Sequence, residues 1–233
     1  MWVRTTSCVS RISTGVHRDN CSLAARSIAV VGAGGHARET LLLLRQCGVR
    51  PGQIAGFFVD SDYWRDETID GYPQWRLNML DPDVHHAVVA IGDSILRRQV
   101  VGSLPPGTRF PSFVHPSAIV PDDFALDAGV IVHAGCIITC NVTIGRHVQL
   151  NRSTNIGHDS VLHDFVTTAP GVVISGNCTI GAASYLGAMS CVREKQEVGA
   201  GSLVGMGAIV VTDIPDRATY CGNPARALAR PAR

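Results

Sequence analysis

Two neighbouring residues, His158 and Asp159, carry the clearest chemistry in this sequence. A neutral imidazole accepts a proton near neutral pH, and a carboxylate beside it raises its basicity or fixes its tautomer, so the pair reads as a general base with its modulator. An acid at a turn can also simply face solvent, and that reading of Asp159 stands beside the first. The same stretch, Gly157-His-Asp-Ser-Val-Leu-His163, places two histidines five residues apart, a spacing that would suit a zinc ion if a third ligand were supplied. Earlier in the chain, Gly32-Ala-Gly-Gly-His36 is a turn of the kind that cradles phosphate at a helix N-terminus. The dinucleotide fingerprint is incomplete there, because Ala37 stands at its sixth position.

These residues need elements to hold them. Ser27–Glu39 reads as a buried strand and a Gly-rich turn, with a helix following through Thr40–Gln46. Ile54–Asp60 and His86–Gly92 read as further strands, and Ile95–Leu104 as a second helix, which makes residues 27–110 a small Rossmann-like parallel α/β domain. Pro105-Pro-Gly107 and Pro111 mark its end.

From Val114 the pattern changes. An aliphatic residue recurs at every sixth position, through Val120, Leu126, Val132, Ile138, Ile144, Leu150, Ile156 and Leu162, then from Ile174 to Val210, and only Thr168 interrupts it. Glycine often follows the aliphatic residue, and the position two before it is small or apolar. Neither a helical nor a strand period produces this. Six residues per flat face and three faces per coil describe a parallel β-helix of stacked short strands, here roughly five coils within residues 111–233.

The β-helix register bears on the zinc reading. His133 lies 30 residues before His163, five faces away, so it projects from a different side of the triangle. A zinc hydratase resembling the γ-class carbonic anhydrases is therefore the weaker reading, and a sugar-nucleotide-binding scaffold without catalysis is the other alternative. A net charge of +1 with no block of like charge gives no field for nucleic acid, and no apolar run approaches the ~18 residues of a membrane span. The 8 cysteines include no CxxC pair and read as reduced, mostly buried residues. Residues 1–26, rich in Arg, Ser and Thr, read as a disordered or targeting extension, with the cytoplasm as the default address.

The motifs Val31-Gly-Ala-Gly-Gly-His-Ala37, Phe58-Val-Asp60, Ala90-Ile-Gly92, His115-Pro-Ser-Ala118, Asn155-Ile-Gly-His-Asp159, Pro170-Gly-Val-Val-Ile-Ser-Gly176 and Gly222-Asn-Pro-Ala-Arg226 occur in one order along the chain. On these the sequence resembles the left-handed β-helix acyltransferases, and among them the sugar O- and N-acyltransferases similar to sialic acid O-acetyltransferase and the bacillosamine-pathway acetyltransferase. The resemblance implies acetyl-CoA as co-substrate, no metal, a sugar or sugar-nucleotide acceptor, and a homotrimer with sites shared between subunits. It also implies His158 as base and Asp159 as its modulator. Gly34, Gly35, His36, Asp60, Gly92 and Asn151 would contact the acceptor, although a turn-stabilising role for Asn151 is equally open. Thr167, Gly176, Gly187, Ala188, Gly205 and Met206 would lie along the acyl donor. Thr167 stands where some relatives carry histidine, and for the glycines a requirement of the coil corners is the alternative reading.

Overall fold

The computed structural model describes residues 26–228, so Cys8, Cys21 and residues 1–25 of the N-terminal extension lie outside the described residues. Five strands, β1 (Ser27–Val31), β2 (Ile54–Val59), β3 (Thr68–Ile69), β4 (Tyr72–Arg76) and β5 (His85–Val89), form a sheet in the order β3-β4-β2-β1-β5. All pairings are parallel except β3 with β4. That hairpin was missed in the sequence reading. Its signal is the Asp70-Gly71 dipeptide, whose two positive φ angles of 51° and 84° make the tight turn that joins antiparallel strands. Helix α1 (Gly35–Gln46) begins inside the Gly-rich turn and buries Ala37, Thr40, Leu41, Leu43 and Leu44 on the sheet, while α2 (Ser94–Ser103) is capped by Asp93, whose Oδ1 accepts from the Leu96 amide at 2.8 Å.

The remainder is a left-handed parallel β-helix with three faces. Gln149 pairs with Ile131 on one side and Thr167 on the other, so one coil takes 18 residues. We call the sheet containing Ile131–Val132 and Gln149–Leu150 the first face, that containing Asn155–Ile156 the second, and that containing Val161–Leu162 the third. The six-residue series faces inward as expected: Val132, Leu150, Leu162, Ile180, Leu186 and Val204 are fully buried. Each such side chain contributes about 1.5–3 kcal/mol relative to exposure. The interruption at Thr168 is also inside, where its hydroxyl meets that of Thr154 at 2.8 Å, and Thr154 in turn donates to the Asn151 carbonyl at 2.7 Å. Two buried hydroxyls thus satisfy each other and the chain, which is how a polar residue is accommodated in an aliphatic stack.

The corners follow the same period. From Gly129 to Gly207 every sixth residue has positive φ, and at Asn141, His147, Ser153, Asp159, Phe165, Asn177, Ala183, Met189 and Lys195 the residue is not glycine. A left-handed conformation costs a non-glycine residue on the order of 1 kcal/mol. It is held by the coil below: the amides of His147, Ser153, Asp159, Phe165 and Asn177 donate to the carbonyls of Ala128, Ala134, Cys140, Arg146 and His158. The glycines that follow the inward aliphatic have a different reason. A Cβ on Gly157 would stand 2.6 Å from the Gly176 amide nitrogen, and one on Gly187 2.5 Å from that of Met206, so adjacent coils could not close there.

The α/β unit sits on the first face. The outward side chains Ile131, Gln149 and Thr167 are at 1%, 0% and 1% exposure beneath it, whereas Leu203, further along the same face, is at 40%.

Candidate functional site

His158 and Asp159 occupy the corner between the second and third faces. Their backbone is clamped by the coils on either side, the Asp159 amide donating to Cys140 O at 3.1 Å and His158 O accepting from the Asn177 amide at 2.8 Å. The imidazole Nδ1 is 2.7 Å from Asp159 Oδ2, and Asn141, one coil earlier at the same corner, donates its Nδ2 to Asp159 Oδ1 at 3.0 Å. The histidine and asparagine bonds hold the Asp159 carboxyl below its ordinary value, His158 contributing most. An ionised Asp159 keeps the proton of His158 on Nδ1 and leaves Nε2 with a lone pair. The ring lies over Gly176, where a Cβ would fall 2.6 Å from Nε2, so the absence of a side chain at 176 is what seats it. Sequence reasoning singled out His158 and Asp159 as base and modulator and Gly176 for the acyl donor, and it passed over Asn141, whose 18-residue offset from Asp159 was the available signal. The side chains of His158 and Asp159 are 56% and 45% exposed.

The α/β unit supplies a second group. His36, in the first turn of α1, has Nε2 2.9 Å from Gln149 Oε1 on the first face. Its pKa is lowered, chiefly by burial. Glu39, one turn on, is bridged by Arg152 at 2.6 Å, and the His36 ring stands 5.7 Å from that of His133. Burial, with His36 second, drives His133 down to about 4. Gly92 turns its carbonyl to the Thr167 hydroxyl at 3.0 Å and to Arg97 Nη1 at 3.3 Å.

Arg97, missed in the sequence, organises this seam. It is fully buried on α2, and among the described residues no carboxylate bonds to it. Instead it donates to the carbonyls of Ile91 and Gly92 in its own unit and to those of His147, Phe165 and Val166 in the β-helix, as well as to Gln149 Oε1 and Thr167 Oγ1. Desolvation pulls it down to about 9, which leaves it cationic at neutral pH. Ser94 adds a bond to Thr167 at 2.9 Å. Thr167 is therefore engaged in the seam between the two units, and its hydroxyl is committed there.

The other predicted residues are spread. Gly34 and Gly35 are exposed at the start of α1, and a Cβ on either would meet nothing within 4 Å. In the same turn it is Gly32, with φ 109° and its Cβ position 3.0 Å from Ala90 O, that needs to be glycine. Asp60 is exposed and accepts from the Asp62 amide at 3.2 Å. Asn151 is 8% exposed and donates to Thr168 O at 2.9 Å, stitching one coil to the next. Gly187, Ala188, Gly205 and Met206 lie at the corner between the first and second faces, Met206 with 78% exposure, while Gly176 shares the His158 corner. One chain thus places the two corners at opposite edges of the second face and does not bring them together. His133 follows the first face, His158 the second and His163 the third, and among the described residues no group of three or more His, Cys, Asp or Glu side chains is placed to hold a metal ion.

Comparison with known proteins decides the family. Residues 27–104 match the PglD N-terminal domain. GDP-perosamine N-acetyltransferase from Escherichia coli O157:H7 is 31% identical over 215 residues, 86% of this chain and 96% of that protein. The chain belongs to the hexapeptide-repeat sugar acetyltransferases. Two solved structures bear on the site of this acetyltransferase. The acetyltransferase domain of PglB from Neisseria gonorrhoeae, in complex with acetyl coenzyme A, is 31% identical, with a TM-score of 0.73 over 87% of this chain and 99% of that one. A histidine-to-asparagine mutant of perosamine N-acetyltransferase from Caulobacter crescentus, in complex with CoA and GDP-perosamine, is 29% identical, with a TM-score of 0.78 over 88% of this chain and 98% of that one. The present chain is accordingly an acyltransferase. Among its described residues no helix is long and apolar enough to cross a membrane.

Proposed function

We propose that the protein transfers an acetyl group from acetyl-CoA to the amino group of a nucleotide-linked sugar, with His158 as general base. The observation that carries this is the Asn141–Asp159–His158 chain: the carboxylate accepts a hydrogen bond from Nδ1–H and keeps that proton on the ring, so Nε2 is the accepting atom. Nε2 removes a proton from the amine as the nitrogen attacks the thioester carbonyl. The C–S bond then breaks, the acetyl group stays on nitrogen and the CoA sulfur leaves as thiolate, to which the imidazolium returns the proton. Backbone amides at the close-packed glycine corners are suited to stabilising the developing oxyanion. The relatives named for GDP-perosamine support an amine on a nucleotide sugar as acceptor, and the open surface around Gly34 and Gly35 suits approach of a phosphate to the start of α1.

In this reading the α/β unit, with His36, Asp60 and Gly92, holds the acceptor, and the β-helix holds the acyl donor. The exposure of His158 and Asp159, and their distance around the prism from Gly187, Ala188, Gly205 and Met206, support a homotrimer in which a corner of one copy completes the site of the next. The test is release of CoA thiol from acetyl-CoA with a panel of GDP- and UDP-linked amino sugars, wild type beside His158→Ala. Acceptor-dependent release that falls by about 10² or more in the variant, with an unchanged melting temperature, is the expected result. An equal rate in the two proteins removes His158 from the chemistry.

A further inference from the structure

The buried seam fixes more than the relative placement of the two units. Gln149 projects from the first face at 0% exposure, and both ends of its amide are constrained. Its Nε2 donates to the Val89 carbonyl at 2.7 Å, an atom that can only accept, and its Oε1 accepts from Arg97 Nη1 at 3.1 Å, a group that can only donate. Rotating the amide by half a turn would set oxygen against oxygen and nitrogen against nitrogen, so the amide has one orientation. The His36 Nε2 at 2.9 Å from that same Oε1 must then carry the proton.

His36 is left with a lone pair on Nδ1. Glu39 Oε2 stands 3.8 Å from it, too far for a hydrogen bond and itself an acceptor, while Arg152 engages the other Glu39 oxygen. Nδ1 and Oε2 together form a pair of acceptors at the start of α1, on a side chain that keeps 16% exposure.

We infer that Gln149 is a positioning residue: it holds His36 in the Nε2–H form so that Nδ1 accepts a hydrogen bond from an N–H or O–H group of the bound sugar. This rests on the reading above in which His36 faces the acceptor. Arg97 serves the same end at one remove, because it orients the Gln149 oxygen. Nothing in the β-helix needs an amide at this outward position, where the neighbouring coils carry Ile131 and Thr167.

Two measurements test it. Nitrogen-15 NMR of the full chain, with the His36 signals assigned by loss in His36→Phe, reports the tautomer directly. At neutral pH, Nε2 is expected in the protonated range and Nδ1 in the unprotonated range; a proton on Nδ1 overturns the inference whether or not a substrate is turned over. The second is a double-mutant cycle read in KM for GDP-perosamine with acetyl-CoA saturating. Gln149→Leu is expected to raise KM about tenfold with little change in kcat, and adding it to His36→Phe is expected to change nothing further. Additive effects of the two substitutions would show that Gln149 acts on folding and not through His36, and would sink the proposal. Should GDP-perosamine not be turned over, the acceptor assignment fails and the NMR result alone decides the tautomer.

Discussion

The seam beneath α2 and the corner that carries His158 are built on opposite plans. At the seam, Arg97, Gln149, Thr167 and Ser94 are all within 3% exposure, and every polar atom of Arg97 has a partner on one side or the other. At the corner, backbone bonds fix the residues, yet the side chains that would do chemistry stand half in solvent. A single chain therefore finishes the part that would hold an acceptor and leaves unfinished the part that would move a proton. The seam is a folding problem, solved by burial, whereas the His158 corner keeps its side chains open to solvent.

The sharpest way to break this contrast is acid. Burial is the main cause that drives both His133 and His147 down to about 4. Between pH 6.5 and 4 the unfolded chain binds protons at these positions and the folded chain does not, so stability is flat above that window, falls through it and levels off below it. Each histidine accounts for roughly 3 kcal/mol of the fall. Denaturant unfolding at pH 7.5, 6, 5 and 4 checks it, and constant stability across the series would mean that the seam is wetter than described. His147 is the more exposed to this argument chemically, since it is sandwiched between Phe110 and Phe165 with ring centroids at 4.7 and 5.0 Å.

Next in size is Arg97→Met, which removes the donors to five carbonyls at once and is expected to cost about 3 kcal/mol or more, seen as a lower denaturation midpoint. Asp159→Asn addresses the other region: turnover is expected to drop about tenfold, because the amide no longer enforces the proton on Nδ1, while the melting temperature stays where it was. A large loss of stability from this substitution would show that the corner is structural after all. The smallest effect is reserved for Asn141→Ala, about twofold to fivefold in kcat, since it withdraws one of the two bonds that aim the Asp159 carboxylate and leaves its charge in place.

The two regions were also unequally legible in the sequence. The β-helix, its inward residues and the His158 corner follow from a period that can be counted, and the resemblance gave Asp159 as the modulator of the base, whereas it assigned Gly176 to the acyl donor and the seating of the imidazole over it is visible only in the structure. The seam did not show itself. Hexapeptide arithmetic says which residues face outward but not which outward faces are covered, so it carries no sign that Gln149 and His147 are buried. Arg97 lies in Ser94–Ser103, a helix whose charged residues would ordinarily be taken for a solvated side. Thr167 was assigned to the acyl donor by resemblance, and only the packing of α2 on the first face shows where its hydroxyl is used. Asn151 had two readings, and its bond to Thr168 O gives the stitching one a physical basis.

The fixed length of a coil makes this protein a kind of ruler. Because strands pair at offsets of 18 residues, inserting one whole coil between the seam and the C-terminal tail would move everything beyond it by a single rung, about 4.8 Å, and change no side chain's bearing. Inserting six residues instead would turn all later positions by one face and carry each corner to the next edge of the prism. Sequence length within the β-helix thus behaves as an angle modulo three faces, and chemistry at its corners tolerates growth only in full turns.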